Sequence, residues 1–388
     1  MAELVAIDLT AGQSFIDAVR RAWDHGDAVF PIDRRLPPPA RRQLLAVIRP
    51  TRIVTVGGTE QLEGDPVQTG DALVIATSGS TGIPKGVVLT HQALEASARA
   101  TSSRLRVTNR DHWLACLPLA HIGGFSVMTK ALVAGAGLTV LPGFDADAVM
   151  AAARAGANLV SLVPTALARI DPAAFRVIVL GGSRPPDDRP ANAVVTYGMT
   201  ETGSGVVYDG VPLDSVQVRI AGDGEVLVRG PMLLRCYRDG STPLDGDGWL
   251  HTNDIGGWSD DGRLRVMGRR GDLIITGGEN VWPDAVEREL ADHPGVGQVS
   301  VAGIDDAEWG QRVVAWIVAS DPAAPPSLAD LRNWSNQRLP SFMAPKQLVV
   351  VNELPRTSLG KVSRQHLVDA LHSPGPRSAN RFNGEVNG

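Results

Sequence analysis

Residues 77–87 read TSGSTGIPKGV and follow the apolar run ALVIAT. Small residues let a backbone turn sharply and aim N–H groups and hydroxyls at a phosphate, and Lys85 adds a mobile positive charge. A solvent loop rich in turn formers would account for the glycines. It would not account for the hydroxyls and the lysine packed behind a strand. The Walker A spacing does not fit, because Gly86 and not Ser or Thr follows Lys85. Lysine is scarce: Lys85, Lys130, Lys346 and Lys361 are the four in the chain, and every other basic residue is arginine. Such a chain keeps lysine where a compact charge on a thin stem is wanted, so each of the four is a candidate site residue. A second polar cluster, YGMTETGS at 197–204, also follows an apolar run. It therefore falls at the carboxyl end of a sheet, where open α/β folds bind ligands.

The elements that would position these groups are short apolar runs alternating with helical patterns. ALVIAT, WLACLPL, LTVLP, NLVSLVP, RVIVLGG and AVVTYG read as strands. HQALEASARATSSRL, GFSVMTKALVAGAG and DADAVMAAARAGA are apolar at helical spacing. Continuous apolar strands separated by helices predict a mostly parallel sheet covered on both faces. Residues 1–70 are mixed, with a helix-like SFIDAVRRAW and a proline-rich connector. After Gly205 the runs VQVRI, EVLVRG and RLRVMG alternate and are split by DG-type turns, which predicts a small antiparallel β subdomain. Beyond the polar seam GRRGD lies a compact α+β pattern. The expected division is an N-terminal α/β domain over 1–268, a small mobile α+β domain over 269–372, and a disordered tail over 373–388.

Composition narrows the class. The 388 residues are 43% hydrophobic and 20% charged with a net charge of −5, which suits a soluble enzyme and argues against coating nucleic acid or a polybasic membrane surface. With 42 glycines and 27 prolines, many tight loops are expected. Cys116 and Cys236 have neither CxxC nor metal spacing, and the eight histidines form no HExxH cluster. A disulfide framework and a zinc site are thereby disfavoured, and both cysteines are expected to be plain core residues. No run is long enough to span a bilayer, and MAELVAIDLT lacks a basic leader region, so a cytoplasmic protein is expected.

TSGSTGIPKG closely resembles the phosphate-binding loop of the acyl-adenylate-forming superfamily, which includes acyl- and aryl-CoA ligases, luciferases and adenylation domains. The other motifs follow in order: GGS at 181–183, YGMTETGS, GEVLVRGPMLLRCY at 225–237, WLHTNDIG at 249–256, GRRGDLIITGGENVWP at 268–283 and PRTSLGKVSR at 355–364. The resemblance covers about residues 71–364. It implies ATP, Mg²⁺ and coenzyme A. Thr77, Ser78, Gly79, Ser80, Thr81, Gly82 and Lys85 would meet the phosphates. Gly181, Gly182 and Ser183 would lie along the adenine, with Tyr197 stacking on it and Gly198 and Met199 beside it. Thr200 would contact phosphate and Glu201 would be the Mg²⁺ carboxylate, a chemically reasonable one-carboxylate site. Asp254 and Arg269 would hold the ribose, although Asn253 stands where the family often has glycine. Gly271 would be the hinge, and Lys361 would hold the carboxylate and α-phosphate during adenylation.

His121, with Gly123 and Gly124, would border the acyl pocket, and the histidine would gate it. The front end is too short for a long lipid tunnel. Together with SLVPTALARI and GGENVWP, it makes the o-succinylbenzoate–CoA ligases of menaquinone biosynthesis the best resemblance. That substrate is a dicarboxylate, and Lys130, nine residues after His121, stands where those ligases carry a basic residue. The alternatives are another small aryl- or short-chain acyl-CoA ligase, or a stand-alone adenylation protein that loads a carrier protein. Small-molecule partners are expected, with neither nucleic acid nor membrane insertion; a homo-oligomer is compatible with the sequence.

Overall fold

The computed structural model describes residues 2–78, 84–182, 188–356, 362–372 and 384–386. Two compact units emerge. The first holds 1–219, 227–252 and 258–264; the second holds 220–226, 253–257 and 265–388.

Two seven-stranded sheets build the first unit. The first sheet contains β1 (Leu4–Asp8), β2 (Ala28–Pro31), β3 (Arg52–Thr55), β4 (Gly58–Gln61), β5 (Asp71–Ser78) and β6 (Pro84–Thr90). The short strand Cys236–Tyr237 pairs antiparallel with the outer edge of β6. Strand β1 pairs parallel with β2 and β3, and β2 pairs parallel with β5. The front seventy residues thus supply four of the strands, with α1 (Gln13–Asp24) and α2 (Pro38–Ile48). Their alternation in the sequence is too short and proline-broken to have announced this. Strands β5 and β6 form an antiparallel pair in which Thr77 opposes Lys85 and Ser78 opposes Pro84.

The second sheet takes β7 (His112–Ala115), β8 (Gly137–Val140), β9 (Leu159–Leu162), β10 (Val177–Leu180), β11 (Ala193–Met199), β12 (Ser204–Tyr208) and β13 (Val211–Pro212). Its order is β13-β12-β11-β10-β9-β7-β8, parallel from β8 through β11 and antiparallel from β11 to β13. The helices α3 (His91–Leu105) and α4 (Ile122–Ala134) form where apolar residues recur at helical spacing, and α4 is buried on every side from Gly124 to Ala131. Leu114, Val160, Leu162, Ile178 and Leu180 form one buried core between this sheet and the segments after it. Strands buried on both faces need continuous apolar runs, which is what the sequence carries.

A four-stranded sheet of Gln217–Ile220, Glu225–Arg229, Leu250–Trp258 and Leu264–Arg269 follows. The second unit contains a six-stranded sheet centred on Gly310–Ala319, packed by Pro283–Ala291 and Leu328–Ser335 through Val286, Leu290, Val313, Ala315 and Leu331. Near the C-terminus, Gly384–Val386 pairs antiparallel with Gln347–Val350. An open sheet edge offers a row of unpaired N–H and C=O groups that any extended segment within reach can satisfy.

Candidate functional site

In the first unit, three distant segments converge on Lys85. The lysine lies at the start of β6, its Nζ 4.7 Å from the ring centre of Tyr237. The Tyr237 hydroxyl donates to Glu201 Oε1 at 3.0 Å, and the Glu201 carbonyl accepts from the Leu234 N–H at 2.8 Å. A cation over an aromatic face and a phenol on a carboxylate hold two opposite charges apart on one rigid ring. Tyr237 ends the motif GEVLVRGPMLLRCY, and the sequence alone assigns it no role. Its part depends on the pairing of Cys236–Tyr237 with β6, which no local pattern announces. Thr77 Oγ1 donates to the Lys85 carbonyl at 3.4 Å, bracing the mouth of the loop. Gly79, Ser80, Thr81 and Gly82 lie outside the described residues, as do Ser183 and Lys361.

The TETGS segment is shaped from within. Strand β11 runs to Met199, and a register shift falls between Tyr197 and Gly198. A Cβ on Gly198 would lie 2.2 Å from the Ser204 carbonyl, so glycine is required at this bulge. Thr200–Thr202 then make one turn of 3₁₀ helix. Fully buried Thr202 closes it: its Oγ1 accepts from the Met199 N–H at 2.9 Å and lies 2.6 Å from the Ser204 carbonyl. Tyr197 is half-buried on β11. Gly181 follows β10, its N–H donating to the Leu162 carbonyl at 3.2 Å, and Gly182 takes a φ of +83°.

Helix α4 presents the second group. Its N-cap is His121, and its first turn packs so closely that a Cβ on Gly124 would lie 2.3 Å from the Pro118 carbonyl. Gly123 has ordinary space. Lys130 is only 1% exposed. Its Nζ donates to Ser204 Oγ at 3.0 Å and Ser126 Oγ at 3.2 Å, and lies 5.9 Å from the Trp113 ring centre. Among the described residues it meets hydroxyls and an indole but no carboxylate. Burial pulls its ammonium down to about 8. The His121 ring turns instead toward Asp33 and Arg35, in the front region to which no chemistry was assigned: Nε2 lies 3.1 Å from Asp33 Oδ2 and 2.9 Å from an Arg35 Nη. Cys116 is buried, and that burial pushes its thiol up to about 12. Cys236 is partly buried on an edge strand and packs against the core of the first sheet.

In the second unit, Arg269 Nε lies 2.8 Å from Asp254 Oδ1, and Asp254 is 5% exposed. Asn253, the departure from the family pattern, adopts a φ of +58°. Asparagine is one of the few side chains that tolerate this left-handed backbone, so the departure is conservative in conformation. Asn253→Val is expected to cost ~1–2 kcal/mol in chemical denaturation, while Asn253→Gly stays within about 0.5 kcal/mol. Equal midpoints for the two variants would refute this. Gly271 sits in the turn Arg270–Asp272, where a Cβ would meet nothing within 4 Å.

A family model described as AMP-binding enzyme matches residues 58–238, and one described as AMP-binding enzyme C-terminal domain matches 285–361. A relative from Mycobacterium tuberculosis named "Probable 2-succinylbenzoate--CoA ligase" is 41% identical over 330 residues, 79% of this chain and 86% of that one. The solved o-succinylbenzoate CoA synthetase from Bacillus subtilis in complex with the acyl-adenylate intermediate OSB-AMP is similar at a TM-score of 0.85. It is 28% identical, over 94% of this chain and 88% of that one. The same Bacillus protein in complex with ATP and magnesium ion gives 0.83 at 28% identity, over 94% and 89%.

Proposed function

Because this chain belongs to the AMP-binding enzyme family, we propose that it is an AMP-forming acid–CoA ligase whose carboxylate is o-succinylbenzoate, acting in menaquinone biosynthesis in the cytoplasm. A carboxylate oxygen of the substrate attacks the α-phosphorus of ATP, and pyrophosphate leaves. The thiolate sulfur of coenzyme A then attacks the acyl carbon, and AMP leaves with the electron pair of the broken acyl–oxygen bond. No covalent enzyme intermediate is required. Catalysis rests on positioning and on charge placed where it develops.

The observation that carries the substrate assignment is Lys130. A lysine 1% exposed, with two serine hydroxyls and no carboxylate among the described residues, is a cation waiting for an anion. The second carboxylate of o-succinylbenzoate supplies it. Likeness to enzymes bearing that substrate's name supports the same reading.

The remaining roles follow the site. Lys85 meets the phosphates, and Tyr237 holds it at a fixed distance from Glu201. Glu201 offers one hard carboxylate oxygen beside the phosphates, which fits the few protein ligands that Mg²⁺ takes. When bound, Mg²⁺ would neutralise phosphate charge there. Thr200 contacts phosphate, Tyr197 stacks on adenine with Gly181, Gly182, Gly198 and Met199 along it, and Asp254 with Arg269 holds the ribose. Gly271 is the pivot for the second half-reaction.

Pyrophosphate release measured over a panel of carboxylic acids, with coenzyme A present, tests the assignment. The expected result is AMP and a free acyl-CoA, with o-succinylbenzoate the best acid. Acyl-AMP that transfers only to a carrier protein's thiol would favour the stand-alone adenylation reading instead.

A further inference from the structure

The first seventy residues carry no motif that the proposed reaction uses, yet they place a buried carboxylate against His121. Asp33 is 6% exposed and follows β2 by two residues. Arg35 grips it with two parallel bonds, Nε to Oδ1 at 2.9 Å and an Nη to Oδ2 at 2.7 Å, and the Arg35 N–H donates to Oδ1 at 3.0 Å. Burial alone would raise this carboxyl. The hydrogen bonds from Arg35 and His121 outweigh burial and hold it well below the ordinary carboxylate range. His121 Nε2 sits between this carboxylate and the guanidinium, 3.1 Å from one and 2.9 Å from the other.

Two features make this more than a surface ion pair. First, His121 is the N-cap of α4, yet its side chain makes no cap bond; it is turned wholly toward Asp33 and Arg35. Second, its ring contacts among the described residues all run through Nε2, and Nδ1 has no partner there. We propose that Asp33 and Arg35 are positioning residues that lock the His121 imidazole by Nε2, leaving Nδ1 as the one ring nitrogen free to meet the acyl substrate. The proposal rests on the reading of His121 as an acyl-pocket residue. It explains why a ligase would keep a charged pair from its front end pinned to the start of α4. A ring fixed by a carboxylate on one nitrogen presents the other in a defined direction, which is how second partners orient functional histidines elsewhere.

The clamp itself is tested without substrate. In ¹⁵N-histidine spectra of the full-length protein, the native His121 ring should report a single tautomer held through Nε2, and Asp33→Asn and Arg35→Ala should each shift its Nε2 resonance toward a tautomer-averaged value. Arg35 is largely exposed, so that variant folds even if the Asp33 variant does not. An unchanged His121 Nε2 resonance in Arg35→Ala overturns the clamp.

The functional arm uses pyrophosphate release with o-succinylbenzoate. Asp33→Asn and Arg35→Ala should each raise the KM for the acid by roughly three- to tenfold and leave the KM for ATP unchanged, about 0.7–1.4 kcal/mol at 1.4 kcal/mol per tenfold. In a His121→Ala background the same changes should add nothing. Additive losses, or losses shared equally by both KM values, overturn a role through His121. If no acid of the panel releases pyrophosphate, the ligase reading fails, while the spectra still decide the clamp.

Discussion

Lys361→Ala is expected to lose carboxylate-dependent pyrophosphate release by several orders of magnitude. It should nevertheless convert supplied acyl-adenylate and coenzyme A to the thioester at near-native rate. The reason lies in the role the family resemblance implies for Lys361: charge shifts from the attacking carboxylate to the phosphoryl oxygens as adenylation proceeds, and an ammonium held beside both would counter it. On the same reading, thioester formation uses the other face of that domain and does not call on that lysine. Lys361 itself lies outside the described residues, but its downstream neighbour is firmly held. Arg364, three positions on, meets Asp272 at 2.5 Å, Asp284 at 2.6 Å and Glu287 at 2.8 Å. Burial alone would lower the Arg364 guanidinium, but the surrounding carboxylates hold it above its ordinary value, and permanently charged. The chain three positions after Lys361 is therefore anchored, and truncating Lys361 should leave the fold intact by circular dichroism. Equal loss of both half-reactions in a folded variant would remove Lys361 from the adenylation step.

Lys130→Ala should cut kcat/KM for o-succinylbenzoate by roughly 30- to 1,000-fold, about 2–4 kcal/mol at 1.4 kcal/mol per tenfold. A monocarboxylate analogue lacking the benzoate should be a poor substrate of the native enzyme and nearly indifferent to the change. The interaction between enzyme change and substrate change isolates the ion pair from general damage. Equal losses would make Lys130 structural. A native preference for the monocarboxylate would leave only the general acid–CoA ligase assignment.

Proton linkage gives a second reading of the same residue. Its ammonium sits at about 8 in the free protein, below the ordinary 10.5. The folded state therefore binds fewer protons than the unfolded state between those values. Lys130 contributes to stability above that window, and the contribution is lost as pH falls through about 8. A bound benzoate favours the charged form, so binding above about pH 8 must take up a proton. The KM for o-succinylbenzoate should rise as pH passes about 8, and Lys130→Ala should be flat there. The same flatness in native enzyme would mean that no anion meets this lysine.

The sequence by itself determined the chemistry-bearing loops and the class of the fold. The turn formers and lysine of 77–87, the polar cluster after β11 and the apolar runs of β7 and β9 to β11 depend on neighbours within ten residues. Those interactions are local, through backbone conformation and side-chain periodicity, and so they are written in order along the chain. Helices α3 and α4 are legible for the same reason: apolar residues recur at helical spacing along each.

What only the tertiary structure decided involves contacts between segments that no local rule connects. Tyr237 stands between Lys85 and Glu201 because an edge strand of two residues pairs with β6. Lys130 finds Ser204, 74 positions away, because α4 and β12 pack together. His121 finds Asp33, 88 positions away, because the front region adds parallel strands to the β5 side of the first sheet. The number of partners such a residue could meet grows with chain length, and packing selects among them cooperatively across both sheets. A lysine's scarcity can mark it as important; only the burial of its neighbours says that it lacks a counter-charge.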